Sequence, residues 1–123
     1  MACVMCDTSN LETSYHLFFT CQYANRVWAT LTLNTRIQIM IRGDSLEQTW
    51  ARSEQKTIPL PRGAREKWAS YFMAAVWHVW RQRNDKIFRG RAMPPEALAL
   101  KIMEEAQLWL RYCGGTRARE GIG

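Results

Sequence analysis

The fold is decided by residues 68–80, WASYFMAAVWHVW, in the middle of the 123-residue chain. Large apolar side chains in this stretch recur at steps of three and four residues, which is the spacing of one face of an α-helix. They are Trp68, Tyr71, Phe72, Ala75, Val76, Val79 and Trp80. We predict a long amphipathic helix over residues 64–88, which Gly90 and the pair Pro94-Pro95 bring to an end.

A second amphipathic helix follows the two prolines. Pro95 and Glu96 suit the first turn of a helix, and Gly114-Gly115 is a stop signal. The apolar stripe between them contains Leu98, Ala99, Ile102, Met103, Ala106, Trp109 and Leu110. Because about six residues connect the two long helices, we expect them to pack antiparallel as a helical hairpin.

The segment before the long helix is less regular. Apolar residues from Ala24 to Leu31 have helical spacing and predict a helix over residues 22–33, with Asn34 as its stop. Residues 36–41, RIQIMI, alternate between apolar and polar, so a short strand is one interpretation, although no partner strand is visible in the sequence.

A short helix and a connector complete this region. Asp44 followed by Glu47 has the form of a helix N-terminal capping arrangement, and a short helix to about Glu54 follows. Residues 56–63 contain two prolines and a glycine, so they cannot be helical throughout and predict a connector.

Composition limits the class of protein. The chain has 17 Lys and Arg residues against 11 Asp and Glu, a net charge of +6, and it is 47% hydrophobic, which argues against a fully disordered chain. No apolar run approaches the ~20 residues of a membrane span, and the N-terminus lacks a secretory signal. We therefore expect a protein of the nucleus or cytoplasm that is not secreted and does not bind membranes.

Cysteine placement points to a metal site at the N-terminus. Cys3 and Cys6 form a C-x-x-C pair, and His16 and Cys21 follow within the next 15 residues. Three thiolates and one imidazole make the closed tetrahedral set that structural zinc requires, and soft sulfur donors favour zinc over magnesium or calcium. The sequence predicts one structural zinc per chain, bound by Cys3, Cys6, His16 and Cys21.

The spacing of the last two ligands predicts a break in the helix. On an unbroken α-helix, five residues separate His16 from Cys21 by about 140° around the axis, so the two side chains would point apart. If both bind one ion, a short turn must end near Phe18–Phe19 and a new helix must begin near Cys21–Gln22.

The sequence also permits a metal-free interpretation. A single C-x-x-C pair is common, and the alternative is three buried or unligated thiols with His16 at the surface. Cys113 lies far from the other three cysteines, and we expect it to pack at a helix end rather than bind the metal.

Several short motifs together suggest a family. They are CVMCD (3–7), ET (12–13), HLFFTC (16–21), VW (27–28), WHVWRQRN (77–84) and IF (87–88). This combination resembles the zinc-binding domain that follows the reverse transcriptase of plant non-LTR retrotransposons. The resemblance implies that Cys3, Cys6, His16 and Cys21 are the zinc ligands, and that the chain functions with nucleic acid.

The chain also departs from that family. The family domain has a helical segment before the first cysteine, whereas Cys3 is almost the first residue here, and Gln22 stands where proline is frequent. There are no paired aspartates of a polymerase and no endonuclease constellation. We expect a truncated C-terminal fragment of a retroelement polyprotein.

A basic cluster is the candidate nucleic-acid contact. Residues 76–95 contain five bases and a single acid, Asp85. The bases are Arg81, Arg83, Lys86, Arg89 and Arg91. They could contact phosphates, or they could form a solvated helix end that interacts with the helix dipole. Trp77 and Trp80 could stack on bases, but the place of Trp80 on the apolar stripe favours the core.

No catalytic set emerges from the sequence. Two histidines are too few for most acid–base schemes, His78 has no partner acid in view and is expected at a helix flank, and no phosphate-binding glycine loop is present. We predict a chain that is not an enzyme, with no small-molecule substrate.

The predicted fold is mostly α, with an N-terminal zinc-knuckle-like turn, further helices and a C-terminal antiparallel helical hairpin. We divide it into a zinc-binding segment with the first helix (1–34), a short helix and connector (35–63), the hairpin (64–113) and a flexible tail (114–123). The predicted function is an accessory module that assists binding of RNA or DNA, with a reverse transcriptase polypeptide as a further partner. The alternatives are a protein-interaction module with purely structural zinc and a nonfunctional retroelement remnant.

Overall fold

The described part of the chain contains four α-helices and two wider turns, together with non-helical segments. A computed structural model describes residues 3–6, 12–36 and 38–114, except for the side chains of residues 113 and 114. The helices are α1 (Gln22–Thr35), α2 (Leu46–Gln55), α3 (Arg62–Arg89) and α4 (Pro95–Trp109), and the π-type turns are His16–Thr20 and Leu110–Gly114. Within the described ranges there is no strand, so the mostly α prediction is confirmed.

The ends of the helices follow from local backbone geometry. Helix α3 ends at Gly90, whose left-handed φ of 73° lets its N–H bond the carbonyl of Lys86 at 3.0 Å, as the sequence predicts. Helix α1 ends two residues later than expected, at Thr35, because Arg36 adopts the left-handed cap with φ 58°. The predictions for Cys113 and for the tail concern side chains and residues that the structure does not describe, apart from the backbone of residues 113 and 114.

The cap of α2 differs from the prediction. Ser45, not Asp44, is the N-cap, and its hydroxyl accepts the backbone N–H of Gln48 at 3.1 Å. The Gln48 side chain reaches back to the backbone N–H of Asp44. This is the Ser-x-x-Gln form of the capping arrangement, shifted by one residue from the predicted position.

Residues 38–43 run along α2 without forming a strand. The N–H of Ile41 bonds the hydroxyl of Ser53 at 2.8 Å, and the N–H of Gly43 bonds the hydroxyl of Thr49 at 2.9 Å. Side chains of α2 therefore satisfy the backbone donors that a neighbouring strand would otherwise bind. Gly43 is required for this approach, since a Cβ atom there would lie 2.8 Å from Gln48.

Aromatic side chains form the centre of the core. Trp28 of α1 lies 5.2 Å from Phe72 of α3 between ring centroids, and Trp50 of α2 lies 4.8 Å from Trp68 of α3. The indole N–H of Trp68 donates to the carbonyl of Ile39 at 2.6 Å. Large rings therefore join three helices, and the hydrogen bond of Trp68 links them to the 38–43 segment.

Helix α4 packs against both α1 and α3. Its buried face consists of Pro95, Leu98, Ala99, Ile102 and Ala106. Near the connection, Gln82 accepts the backbone N–H of Met93 at 2.8 Å, and Tyr23 donates its hydroxyl to the carbonyl of Met93 at 2.6 Å. At the far end, Gln107 donates to the hydroxyl of Tyr71 at 3.4 Å.

Two expectations about α3 are wrong. Trp80 is 44% exposed, and His78, expected at the helix flank without an acid, is 2% exposed with its Nε2 atom 2.5 Å from Glu105. At about 100° per residue, Val79 lies about 20° from Trp68 around the axis, but Trp80 lies about 120° away. Repeated steps of four drift around a helix, so the stripe that starts at Trp68 leaves the core before it reaches Trp80.

Candidate metal centre

The chain changes direction between the last two predicted ligands. The N–H of Cys21 bonds the carbonyl of His16 at 2.6 Å, which closes a wide i→i+5 turn over His16–Thr20. Cys21 itself is extended, with φ −63° and ψ 135°, and α1 begins at Gln22. The predicted break and restart of the helix are confirmed.

This turn brings the four predicted ligands together. One donor atom from each of Cys3, Cys6, His16 and Cys21 lies within 4.8 Å of all the others. The Sγ atoms of Cys3 and Cys21 are 3.9 Å apart, and Cys6 Sγ is 3.4 Å from His16 Nε2. A tetrahedral ion with metal–sulfur bonds of about 2.3 Å and metal–nitrogen bonds of about 2.0 Å separates such donors by about 3.8 and 3.5 Å.

The site is enclosed by protein. Cys3 is 2% exposed and Cys21 is 0% exposed, and no disulfide joins Cys3, Cys6 or Cys21 to another described cysteine. Burial, opposed in part by backbone N–H groups of Tyr23 and Ala24, raises the pKa of the Cys21 thiol to about 12. Ligation by a cation would favour the thiolate over the thiol, as in other thiolate–metal sites.

A second layer of contacts orients the imidazole. The Nδ1 atom of His16 lies 2.7 Å from the hydroxyl oxygen of Thr20, and it would donate to that oxygen when Nε2 binds an ion. The backbone N–H of His16 donates to the hydroxyl of Thr13 at 3.0 Å. An outer partner on the second ring nitrogen fixes the tautomer and the ring plane, as in other histidine–metal sites.

We call the described residues 3–6 and 12–21 the metal segment, and an ion pair attaches it to the rest of the fold. The guanidinium of Arg83 on α3 donates twice to one carboxylate oxygen of Glu12, at 3.0 Å from Nε and 2.5 Å from Nη2. The side chain of Glu12 is 11% exposed and that of Arg83 is 27% exposed. Trp28 adds a second attachment, since its indole N–H donates to the carbonyl of Phe18 at 2.7 Å.

The donor set fits a metal ion of the class that prefers thiolate and imidazole. Three sulfurs and one nitrogen satisfy four tetrahedral positions, and no carboxylate belongs to the group. A closed set of four protein ligands leaves no position for a substrate or a reactive water, so the chemistry it can support is structural.

The five basic residues are less uniform than their spacing suggests. Arg81, Arg89 and Arg91 are exposed, Lys86 is half-buried, and Arg83 is engaged by Glu12. Contact of these residues with nucleic acid stays a prediction.

Sequence reasoning missed the supporting roles of four residues around the site, which are Thr13, Thr20, Glu12 and Arg83. Thr20 lies four residues after His16, a spacing at which side chains on one turn meet, so it could have been found. Glu12 and Arg83 are 71 residues apart, and nothing in their local sequence indicates that they pair.

Comparison of the chain with protein-family models, with curated proteins and with solved structures finds no match. Among the described residues, no helix is long and apolar enough to cross a membrane.

Proposed function

We propose that this chain is a non-catalytic, zinc-stabilised accessory module that assists the binding of RNA or DNA. One zinc ion, held by the thiolates of Cys3, Cys6 and Cys21 and by His16, fixes an N-terminal zinc-knuckle-like turn onto α1. The antiparallel hairpin of α3 and α4 supplies the surface for the partner. Membership in the reverse transcriptase zinc-binding family, and a reverse transcriptase polypeptide as a partner, are parts of this proposal.

The proposal depends on one observation, the convergence of four donor atoms within 4.8 Å. The separations between these donors suit tetrahedral sulfur and nitrogen ligation, and the surrounding chain gives His16 an outer hydrogen-bond partner in Thr20. Cysteines that only fill a core have no reason to gather around a histidine ring nitrogen.

Charge supports the nucleic-acid half of the proposal. Residues 76–95, with five bases and one acid, contribute +4 to the net charge of +6, and three of the arginines there are exposed. Lys and Arg residues that approach phosphates release counterions, and this release supplies most of non-specific affinity for nucleic acid.

A protein partner is the second candidate, because the outward side of α3 carries exposed apolar side chains. Met73, Trp77 and Phe88 are 54%, 46% and 82% exposed, respectively. Such a face could dock on another polypeptide, with zinc serving only the fold. This candidate predicts self-association or binding to a protein, and no affinity for nucleic acid at low salt.

Metal analysis of the purified, reduced chain tests the zinc half. We expect about one zinc per chain, and a folded, fully reduced sample without metal would contradict the proposal.

Filter binding tests the nucleic-acid half. The zinc-loaded chain is titrated against single-stranded and double-stranded nucleic acid at increasing salt, and the affinity is expected to fall steeply as salt rises. Absence of binding at low salt would contradict this half and favour the protein partner.

A further inference from the structure

We infer that the partner is a single-stranded nucleic acid, and that its bases bind in the cleft between the metal segment and α3, against Trp80. This inference rests on the proposed function and narrows it to one class of nucleic acid and one surface. The observations that support it are an exposed tryptophan pair, a cleft beside that pair and the charge around both.

The tryptophan pair is available for stacking. Trp77 and Trp80 are 46% and 44% exposed, and their rings lie against each other at 5.6 Å between centroids with an angle of 24° between planes. Neither ring is needed to fill the core, which Trp28, Trp50 and Trp68 supply. Aromatic rings that lie open on a surface are the platforms on which unpaired bases stack.

The cleft lies beside Trp80. It has a volume of about 470 Å³, and its walls include Ser14 and Phe18 from the metal segment and Trp80 and Arg83 from α3. This volume is within the range of sites that hold small planar ligands. Trp80 gives the cleft an aromatic surface, and Thr13 and Ser14 line it with hydroxyl groups, a combination that can stack a base and hydrogen-bond its edge.

The charge of the surroundings selects a polyanion over an apolar protein. Arg81, Arg89 and Arg91 are exposed on the same part of the chain, where Asp85 is the single acid among residues 76–95. Arg83 lines the cleft, and Glu12 and Asn84 already accept hydrogen bonds from its guanidinium, so it suits a base edge better than a phosphate. Arg81, the residue next to Trp80, is exposed and is left for a phosphate.

Unpaired bases are required by this geometry. A base inside a duplex is covered on both faces by its neighbours, so it cannot lie against Trp80 without being extruded. We therefore expect a preference for single strands. The cleft also depends on the metal, because His16 belongs to the same short turn as Phe18.

The test measures the binding of a fluorescein-labelled oligothymidylate of about twelve nucleotides by fluorescence anisotropy, using the full zinc-loaded chain in about 50 mM salt. Trp80→Ala is expected to weaken binding roughly 5- to 150-fold, the range for loss of one stacked base. Trp80→Phe keeps an aromatic face and should restore most of the affinity. Trp109→Ala removes a tryptophan that is 38% exposed on α4, and it should bind like the unchanged chain.

Zinc content and circular dichroism establish that each variant is folded. Equal binding by the unchanged chain and Trp80→Ala would overturn this inference while leaving the proposed function intact. Tighter binding of the matching duplex would also overturn it. If the unchanged chain binds no oligonucleotide, both this inference and the proposed nucleic-acid function are overturned. Self-association of the chain that Trp80→Ala abolishes would also overturn both.

Discussion

The metal segment and the basic cluster of residues 81–91 differ in how their spacing along the sequence relates to their positions in the structure. The four metal donors are spread over 19 residues, yet their donor atoms lie within 4.8 Å of one another, and most of them are buried. The five bases fall within 11 residues, yet they differ in environment, from the exposed Arg81 to the ion-paired Arg83.

The difference lies in what each proposed function would demand. A tetrahedral ion accepts donors only at fixed separations, so the chain must bend to deliver them, and the π-type turn before Cys21 is that bend. Phosphate contacts are longer in range and do not fix a geometry, so neighbouring bases can point in different directions and still contribute. Proximity in sequence is therefore weak evidence of a shared site, whereas matched ligand chemistry is strong evidence.

Removal of a metal ligand should have the largest effect. Structural zinc contributes roughly 10–16 kcal/mol of apparent binding free energy in small zinc peptides, which is comparable with the whole stability of a small domain. Cys21→Ala should therefore lose the zinc and lower the melting temperature sharply, as measured by metal analysis and thermal circular dichroism.

The matched control for this variant is Cys113→Ala, which removes the cysteine that the sequence sets apart. It should keep one zinc per chain. Loss of zinc from Cys113→Ala, or a Cys21→Ala chain that keeps its zinc, would contradict the ligand set and with it the comparison between the two clusters.

The sequence predicts the elements that depend on local rules. The start and end of α3, the stop at Gly90, the start of α4 at Pro95 and the break before Cys21 all follow from spacing, proline, glycine and ligand geometry. Each of these is decided within a few residues along the chain.

The sequence fails where a distant part of the chain decides the outcome. His78 has no acid nearby in sequence, and its burial against Glu105 depends on how α4 docks on α3. Trp80 lies about 120° from Trp68 around α3, and the elements packed on α3 decide that this angle is outside the core. The pairing of Glu12 with Arg83 is likewise a product of tertiary packing.

The ion pair between Glu12 and Arg83 joins the two clusters, and its removal is the second test. Arg83→Ala leaves the carboxylate of Glu12 largely buried without its cation, and the second oxygen of that carboxylate already lacks a hydrogen-bond partner among the described residues. We expect a loss of about 2–3 kcal/mol in the free energy of unfolding by urea, below the 3–5 kcal/mol of a fully buried pair because Arg83 is partly exposed.

A double-mutant cycle gives this prediction its control. Glu12→Gln should cost less than Arg83→Ala, because the arginine that remains can reach water. The double variant should be more stable than the sum of the two losses implies. If the two losses are additive, the ion pair does not join the metal segment to α3, and the two clusters are energetically independent.

The smallest expected effect concerns His78, the second buried histidine. Its single carboxylate partner contrasts with the cluster of thiols around His16. His16 faces three sulfurs, whereas His78 has Glu105 as its partner at 2.5 Å. Glu105→Ala leaves a ring nitrogen of His78, a residue that is 2% exposed, without this partner. The variant should therefore lose about 1–2 kcal/mol of unfolding free energy with no change in zinc content. Glu104→Ala removes the neighbouring exposed carboxylate and should change stability by less than about 0.5 kcal/mol. The free energies of unfolding are measured by urea denaturation. Equal losses for the two variants would mean that the contact between Glu105 and His78 does not stabilise the fold, so that of the two histidines only His16 makes a stabilising contact.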